Sequence, residues 1–309
     1  MSIEWAPMLA LLHDPAAPHG LRLGDAPDPV PNANQALVAI DAISLNFGEL
    51  AFIDDDTPVG AIRGWDAAGT VIEAAADGSG PPRGTRVVTF AWSGAWAQRR
   101  AVDTAELAAL PDNVDSGDAA ALPVAGVAAL RALRRLGSVV FKRVLITGAS
   151  GGVGRFAVQL AAIAGAEVVA LSRRTDGLRE LGATEVVDSL DGLAPVNFVL
   201  DTVGGPLLAE AVRCLDRNGL AVNIGMSSLE PTTLNIEEVR HKSRATIEAF
   251  VVGTGFAQDL ALLVRLVAHG ELDPQVGWRG SWEQVHEAAT ALLSREVQGK
   301  AILTVSSGS

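Results

Sequence analysis

From residue 143 to residue 252, short apolar runs alternate with segments whose apolar residues recur at helical spacing. The runs predict strands at 143–147, 167–171, 185–188, 196–201, 219–224 and 246–252. The segments between them predict helices at 153–164, 175–181, 205–216 and 235–241. Because strands that alternate with helical crossovers form parallel sheets, this region predicts a doubly wound α/β fold.

The first 112 residues follow another pattern, in which partly alternating apolar runs are separated by Pro and Gly clusters. They predict strands at 35–44, 69–74, 85–91 and 95–102, as in a small barrel or sandwich. An Ala-rich helix capped by Asp115 or Ser116 is expected to run through about Leu136. Towards the end of the chain, helices are predicted at 258–269 and 282–295, and a last strand at 300–305 is able to rejoin the first domain.

At 309 residues, 49% of them hydrophobic, the chain is long enough for two domains with separate cores. Its formal net charge of −12 argues against nucleic acid or an anionic membrane as a main partner. Cys214 is the only cysteine, so neither a disulfide framework nor a cysteine-rich metal site is expected. We recognise no signal peptide and no apolar run that would span a bilayer, and the expected location is the cytoplasm.

A glycine-rich turn follows the predicted strand at 143–147 and opens the next helix. It has the spacing A-x-G-x-x-G, with Ala149, Gly151 and Gly154 at the defined positions. This order of strand, turn and helix is typical of a dinucleotide-binding unit, whose backbone N–H groups and helix N-terminus suit a pyrophosphate. The residues expected to contact the cofactor are Ala149, Ser150, Gly151, Gly152 and Val153. The alternative is a tight turn that binds nothing.

The end of the predicted strand at 167–171 indicates which dinucleotide binds. An Asp or Glu usually stands there in NAD-binding folds, because it holds the ribose hydroxyls. This chain has Ser172, Arg173 and Arg174 instead, and guanidinium groups pair with phosphate in a bidentate manner. The sequence therefore predicts a 2′-phosphate site and NADPH as the cofactor, the alternative being a solvated pair of arginines.

Two further loops follow predicted strands, at the sheet edge where ligands of such folds bind. They predict cofactor contacts from Thr202, Val203, Ile224 and Gly225. The alternative is that both loops are ordinary turns.

Several motifs occur in a fixed order along nearly the whole chain. They are ISLNFGEL at 43–50, GWDAAGTV at 64–71, GTRV at 84–87, the segment at 110–133, the glycine turn, ELGATEVVD at 180–188, LDTVGG at 200–205 and GKAILTV at 299–305. Together they resemble the medium-chain dehydrogenase/reductase superfamily, in its zinc-independent quinone oxidoreductase (zeta-crystallin-like) branch. The resemblance implies a Rossmann doubly wound parallel sheet at 121–257, inserted in a GroES-like β-barrel domain made of 1–120 and 258–309. It also implies a homodimer.

The chain departs from the zinc-dependent relatives at the positions of their metal ligands. Asn46 stands where they have a Cys, Trp65 stands where they have a His, and their four-cysteine lobe is missing, so no metal is expected. By resemblance, Asn46 lies near the nicotinamide ribose and is the candidate catalytic residue. The same resemblance places Phe250, Val251 and Val252 beside the nicotinamide, although a buried strand would also explain them.

These observations favour an NADPH-dependent reductase that transfers hydride to a quinone or an α,β-unsaturated carbonyl, since such substrates need no zinc Lewis acid. The substrate is expected to be a small aromatic or conjugated carbonyl compound. Phe47, Trp65, Trp92 and Trp96 are candidates for its pocket, the alternative for the tryptophans being packing in the barrel core. Other interpretations are a polyketide-type tailoring enzyme of the same fold and a non-catalytic NADPH-binding protein.

The sequence leaves the proton donor open. Tyrosine is absent from the chain, and Ala51 stands where quinone reductases commonly carry one. Candidates by rough position are Glu49, Asp66, His241 and Lys242, each of which also fits a structural or surface role.

Overall fold

The computed structural model describes residues 8–53 and 56–306 of the chain. Within them the strands are β1 (Met8–His13), β2 (Leu21–Ala26), β3 (Gln35–Leu45), β4 (Asp66–Glu73), β5 (Arg86–Phe90), β6 (Arg99–Asp103), β7 (Leu107–Ala109), β8 (Arg143–Thr147), β9 (Glu167–Leu171), β10 (Glu185–Val187), β11 (Val196–Asp201), β12 (Leu215–Asn223), β13 (Thr246–Ala249), β14 (Val276–Ser281) and β15 (Lys300–Thr304). The α-helices are α1 (Phe47–Ala51), α2 (Ser116–Ala120), α3 (Pro123–Arg135), α4 (Gly152–Ile163), α5 (Gly205–Arg213), α6 (Ile236–His241), α7 (Ala257–Ala268) and α8 (Val285–Leu293). None of these helices is long and apolar enough to cross a bilayer.

The chain divides into two units, each with its own sheet. Unit 1 consists of Met1–Val127 and Thr254–Ser309, and unit 2 consists of Ala128–Gly253. In unit 2, six parallel strands lie in the order β10-β9-β8-β11-β12-β13, with helices in the connections. The interior residues of β8 and β9 are almost entirely buried, as are Val199 and Leu200 of β11, which explains the apolar runs at these positions. This sheet confirms the predicted doubly wound parallel fold.

Two predictions in unit 2 are wrong in detail. Residues 175–181 form turns rather than a helix, because the segment is short and contains Gly177 at a φ of +73°. The strand predicted at 246–252 ends at Ala249. Beyond that point Val251 is 80% exposed, so a buried strand does not account for its apolar side chain.

The sheet of unit 1 is built around the eleven-residue strand β3. Its order is β14-β15-β3-β4-β5-β7, with β6 also paired to β3, and β1 and β2 form a separate antiparallel pair. β15 runs antiparallel to β3 with Ala301 opposite Leu45, so the last strand rejoins the sheet of the first residues. Trp96 and Trp282 are fully buried in the core of this unit.

The Ala-rich helix predicted to run from Asp115 to about Leu136 is two helices, α2 and α3. Asp115 caps α2, since its side chain accepts hydrogen bonds from the backbone N–H groups of Gly117 and Asp118. Pro123 has no N–H group to continue the ladder, so it opens α3 instead. The strand predicted at 95–102 begins only at Arg99.

Candidate functional site

The glycine turn brings the start of α4 against the end of β8. Gly148 has a φ of +61°, which favours glycine, and Gly151 is the N-cap residue of α4. A Cβ added at Gly154 would lie 2.2 Å from the carbonyl oxygen of Gly148. The third glycine of the motif therefore allows the helix to pack directly on the turn.

The space beside Gly151 is open by comparison. A Cβ added there would meet only the Gly148 oxygen, at 3.3 Å. The first N–H groups of α4, which include those of Gly152 and Val153, have no acceptor within the helix and carry its positive dipole end. Ala149 and Ser150 are buried beneath them. The turn therefore offers backbone donors to an anion, as a pyrophosphate requires.

The end of β9 carries hydroxyl and guanidinium groups and no carboxylate. The buried Ser172 donates a hydrogen bond from its hydroxyl to Ser150 Oγ at 2.8 Å, and its Oγ accepts one from the backbone N–H of Arg174 at 3.1 Å. Arg173 is exposed and Arg174 is half-buried. Arg155 of α4 reaches the same loop, where its Nη1 donates to the carbonyl of Asp176.

A buried carboxylate joins the ends of three parallel strands in unit 2. Asp201, at the end of β11, accepts hydrogen bonds from Thr147 Oγ1 at 2.5 Å and from Asn223 Nδ2 at 2.6 Å. It also accepts from the backbone N–H of Gly204 at 2.8 Å, and its own carbonyl accepts from Ile224 N. Asp201 therefore fixes the two loops that contain the predicted cofactor contacts Thr202, Val203, Ile224 and Gly225.

The predicted nicotinamide neighbours lie just after β13. Phe250 donates its backbone N–H to the carbonyl of Asn223, which holds it beside the end of β12. Val251 is exposed and Val252 is half-buried, and the carbonyl of Val252 accepts a hydrogen bond from Arg131. Their apolar side chains are thus presented at the carboxyl edge of the sheet, where such folds bind ligands.

In unit 1, Asn46 is the centre of a buried polar cluster. Its Nδ2 donates to Glu49 Oε2 at 2.9 Å and to Asp66 Oδ2 at 2.8 Å, and its Oδ1 accepts from Lys300 Nζ at 2.5 Å. The opposite amide orientation would place its oxygen against two carboxylates and its NH₂ against an ammonium. The neighbours therefore fix the amide in one orientation.

The two carboxylates of this cluster are held by further donors. Glu49 is the N3 residue of α1 and accepts from the backbone N–H of Asn46 at 2.8 Å and of Trp65 at 2.6 Å. Asp66 begins β4 and accepts from the backbone N–H of Val124 at 3.1 Å. Lys300 Nζ lies 3.6 Å from Asp66 Oδ2 and is almost fully buried.

Burial shifts the protonation of all three charged groups. It raises the pKa of Glu49 to about 8, and the nearby charge of Asp66 adds to this rise. Burial also raises the pKa of Asp66, although the ammonium of Lys300 opposes the rise. Burial lowers the pKa of Lys300, and Asp66 and Glu49 oppose that change. The charge of each of these groups therefore affects the protonation of its neighbours.

Three of the four predicted pocket aromatics belong to two ring pairs in unit 1, whereas Trp96 is fully buried in the core of that unit, as the alternative expected. Phe47 and Phe52 are edge-to-face with centroids 6.3 Å apart, and Trp65 and Trp92 are edge-to-face at 5.3 Å. Gly48 joins the pairs, since a Cβ there would lie 3.3 Å from the Trp65 ring and 3.8 Å from the Phe52 ring. Phe52 and Trp92 are each about half exposed, so these rings form a partly open aromatic surface rather than a closed core.

The four proton-donor candidates fall into two environments. Glu49 and Asp66 meet at Asn46 in unit 1. His241 and Lys242 lie at the exposed end of α6 in unit 2, where Lys242 Nζ is 2.6 Å from Glu238 and His241 Nε2 is 3.4 Å from Glu237. These surface ion pairs fit a structural role for His241 and Lys242.

Sequence reasoning missed three residues that organise these sites. Lys300 and Asp201 lie in the motifs GKAILTV and LDTVGG, but their partners Asn46 and Thr147 are 254 and 54 residues away, so the motifs do not indicate what the two side chains bind. Arg155 lies in the first turns of the helix that follows the glycine turn. Its position shortly after Gly151 is a sequence signal from which a place near the cofactor could have been predicted. In the described part of the chain, no group of three or more His, Cys, Asp or Glu side chains is arranged to hold a metal ion.

Comparison with known proteins agrees with this architecture. A family model described as zinc-binding dehydrogenase matches residues 152–269. A chloroplast envelope quinone oxidoreductase homolog of Arabidopsis thaliana is 27% identical over 92% of this chain and 94% of its own. Erythronolide synthase EryA2 of Saccharopolyspora erythraea is 33% identical over 65% of this chain but only 6% of its own.

Among solved structures, the quinone oxidoreductase of Coxiella burnetii superimposes with a TM-score of 0.84 and 25% identity, covering 97% of this chain and 100% of that one. The expected fold class, a Rossmann sheet inserted in a GroES-like domain, is thereby confirmed. The relatives also support oxidoreductase activity with a nicotinamide cofactor. The fold, the glycine turn and these relatives together show that the chain belongs to the medium-chain dehydrogenase/reductase superfamily, in its quinone oxidoreductase branch.

Proposed function

We propose that the protein is an NADPH-dependent reductase that transfers hydride to a quinone or an α,β-unsaturated carbonyl without zinc. The observation that carries the proposal is the end of β9, where the hydroxyls of Ser172 and Ser150 meet beside Arg173 and Arg174. A carboxylate at this place would hold ribose hydroxyls and repel a 2′-phosphate. Hydroxyl and guanidinium groups instead bind a phosphate dianion.

The glycine turn fits the rest of the cofactor. Its open side at Gly151 lets backbone approach a pyrophosphate, and the N-terminus of α4 supplies N–H donors to it. Asp201 holds the neighbouring loops in place, so that Thr202 and Ile224 line the same edge of the sheet. When bound, the nicotinamide supplies the hydride, and the role of the chain is to bind and orient it.

The cluster around Asn46 is a poor zinc site by the chemistry of its donors. An indole such as Trp65 has no lone pair for a metal, and Asn46 Oδ1 is already bonded to the ammonium of Lys300. We therefore propose that Asn46 acts as a fixed polar group near the nicotinamide ribose. Glu49 and Asp66 orient its amide, and a hydroquinone product takes its protons from water.

The aromatic surface supports a planar, conjugated substrate. Phe47, Trp65 and Trp92 present ring faces and edges that stack favourably on a quinone or an aryl enone. Such substrates are electrophilic by conjugation, so the reaction needs no Lewis acid.

Calorimetric titration with NADPH and NADH tests the cofactor assignment. We expect NADPH to bind at least about tenfold more tightly, equivalent to ~1.4 kcal/mol. The Arg173→Ala/Arg174→Ala double variant should lose most of that difference. Arg179→Ala is the matched control, because Arg179 lies in the same segment but donates to the carbonyl of Thr184. Equal affinities of the wild type for the two cofactors would refute the assignment.

Oxidation of NADPH in the presence of a panel of quinones and enones tests whether the protein catalyses the proposed reaction. Elemental analysis tests whether the purified protein contains zinc. We expect turnover by protein with well under one zinc per chain, unchanged by EDTA. A stoichiometric zinc would contradict the zinc-independent mechanism. Binding of NADPH with no turnover across the panel would instead favour a non-catalytic binding protein.

A second candidate is enoyl reduction of a polyketide-type thioester. The similarity to part of a polyketide synthase favours it, and the hydride chemistry is the same. Including an α,β-unsaturated thioester of N-acetylcysteamine in the panel distinguishes the candidates. Faster turnover of the thioester than of any quinone would support the second.

We also propose that the protein is a cytoplasmic homodimer joined at β13. This strand is at the edge of the unit 2 sheet, and edge strands are stabilised when their backbone groups pair with a second strand. Light scattering coupled to size-exclusion chromatography measures the mass. A monomer at micromolar concentration would contradict the dimer.

A further inference from the structure

One buried arginine of unit 1 connects the backbone segments that carry Trp65 and Trp92. Arg100 lies on β6 and is 2% exposed. Its Nη1 donates to the carbonyl of Trp65 at 3.0 Å and to Thr89 Oγ1 at 3.2 Å. Its Nη2 donates to the carbonyl of Ala91 at 3.0 Å and to that of Ser93 at 2.9 Å. All four terminal N–H groups therefore bind the two segments on which the tryptophans stand.

The hydrogen bonds of Arg100 restrain the backbone on both sides of Trp92 and thereby the position of its ring. The carbonyls of Ala91 and Ser93 flank Trp92, so both sides of its backbone are fixed by one guanidinium. The Trp92 ring is 5.3 Å from that of Trp65, at an interplanar angle of 82°, and 5.0 Å from that of Phe90. Trp92 is nevertheless 48% exposed, so packing alone encloses only half of it.

Only an arginine can make this set of bonds. A guanidinium directs its donors in a rigid planar fork, whereas the single ammonium of a lysine is a point donor that cannot reach four acceptors on two segments. The nearby Asp66 favours the charged form of the guanidinium. Burial lowers the pKa of Arg100 to about 10, so the group remains protonated at neutral pH.

We propose that Arg100 is a positioning residue that fixes the Trp65–Trp92 pair and thereby sets the preference for planar aromatic substrates over small aliphatic ones. The consequence for substrate choice rests on the proposed reductase function, but the positioning of the two rings does not. Arg100 touches neither cofactor nor substrate in this role. It acts through the backbone of Trp65 and Trp92.

The first test is spectroscopic. The electronic transitions of two indole rings at this distance and angle couple and give a circular dichroism signal. Subtracting the spectrum of Trp92→Phe from that of the wild type isolates the signal of the Trp65–Trp92 pair. We expect Arg100→Lys and Arg100→Met to lose most of that signal while retaining the thermal transition. Arg86→Lys is the matched control, because Arg86 donates to the carbonyls of Pro111 and Val114, away from both tryptophans. An intact signal in a folded Arg100→Lys protein would overturn the proposal.

The second test is kinetic and uses phenanthrenequinone and methyl vinyl ketone. Arg100→Lys should raise the KM for the quinone about tenfold, as expected for the loss of a positioned aromatic contact, and change that for the ketone by less than about twofold. In a Trp92→Leu background the same replacement should have no further effect on the quinone KM. Equal losses on both substrates, or an additive effect in that background, would refute the specificity role. If the wild type reduced neither compound, the proposed function would fail, while the spectroscopic test would still decide the positioning.

Discussion

Replacing Lys300 by methionine tests whether the buried cluster around Asn46 is held together by charge. Lys300 Nζ lies 3.6 Å from Asp66 Oδ2, which corresponds to roughly 5 kcal/mol at an effective dielectric constant of about 20. Removing one partner of a buried pair costs about 3–5 kcal/mol, because the other charge is left uncompensated. Asn46 Oδ1 and the carbonyl of Leu45 would also lose a donor. We therefore expect Lys300→Met to lower the free energy of unfolding by about 3–5 kcal/mol.

A double-mutant cycle with Asp66→Asn measures the interaction energy of Lys300 and Asp66 separately from the other contacts of the cluster. Unit 2 (residues 128–253) contains no tryptophan, so tryptophan fluorescence during urea titration reports the unfolding of unit 1. We expect the double variant to be more stable than the sum of the single effects predicts, by at least about 2 kcal/mol. Arg83→Met, at an exposed arginine of unit 1, is the control and should change stability by less than about 0.5 kcal/mol. Additive effects within about 0.5 kcal/mol would refute the charge pairing.

Two further predictions concern pH and the glycine turn. Because the pKa of Glu49 rises from its usual 4.5 to about 8 on folding, its stabilising contribution is full below pH 4.5 and is lost as pH rises towards 8. Urea titrations of Glu49→Gln between pH 5 and 8 should therefore show a smaller loss of stability than the wild type, and an equal loss would contradict this. Gly154→Ala should destabilise unit 2 by about 1–3 kcal/mol, because its Cβ would overlap the Gly148 oxygen, whereas Gly151→Ala should change its melting temperature little. Thermal melts followed by far-UV circular dichroism measure the stability of the two glycine variants. Similar decreases in melting temperature for Gly154→Ala and Gly151→Ala would be inconsistent with the described packing.

The strands of unit 2 are the part of the fold that the sequence predicts best. The bounds of β8, β9 and β11 agree with the apolar runs at 143–147, 167–171 and 196–201. These strands are central in the sheet, so most of their residues are buried on one face or the other and are apolar. The structure of 175–181 is more difficult to predict. Its apolar spacing fits one helical turn, but the positive φ of Gly177 allows the chain to form turns instead.

The candidate dinucleotide-binding residues are predictable from the sequence because they occur in short contiguous segments. The glycine turn and Ser172-Arg173-Arg174 are each contiguous, and their neighbours are set by the strand-turn-helix order. The cluster around Asn46 is different. It joins α1, the start of β4 and β15, and Lys300 lies 254 residues from Asn46. Such a contact is determined by strand pairing between β3 and β15, which no local periodicity contains.

The pairing of β15 with β3 also determines the order in which the protein can fold during synthesis. Unit 2 is one continuous segment, whereas the sheet of unit 1 needs β14 and β15, which leave the ribosome after all of unit 2. Domains fold as units once their residues are available, so the inserted unit can complete its sheet first. Until then one edge of β3 lacks its partner strand and Asn46 lacks Lys300. A nascent chain stalled before residue 300 would therefore contain a complete dinucleotide-binding sheet and an unfinished partner unit, and such an exposed edge is the kind of surface that chaperones bind.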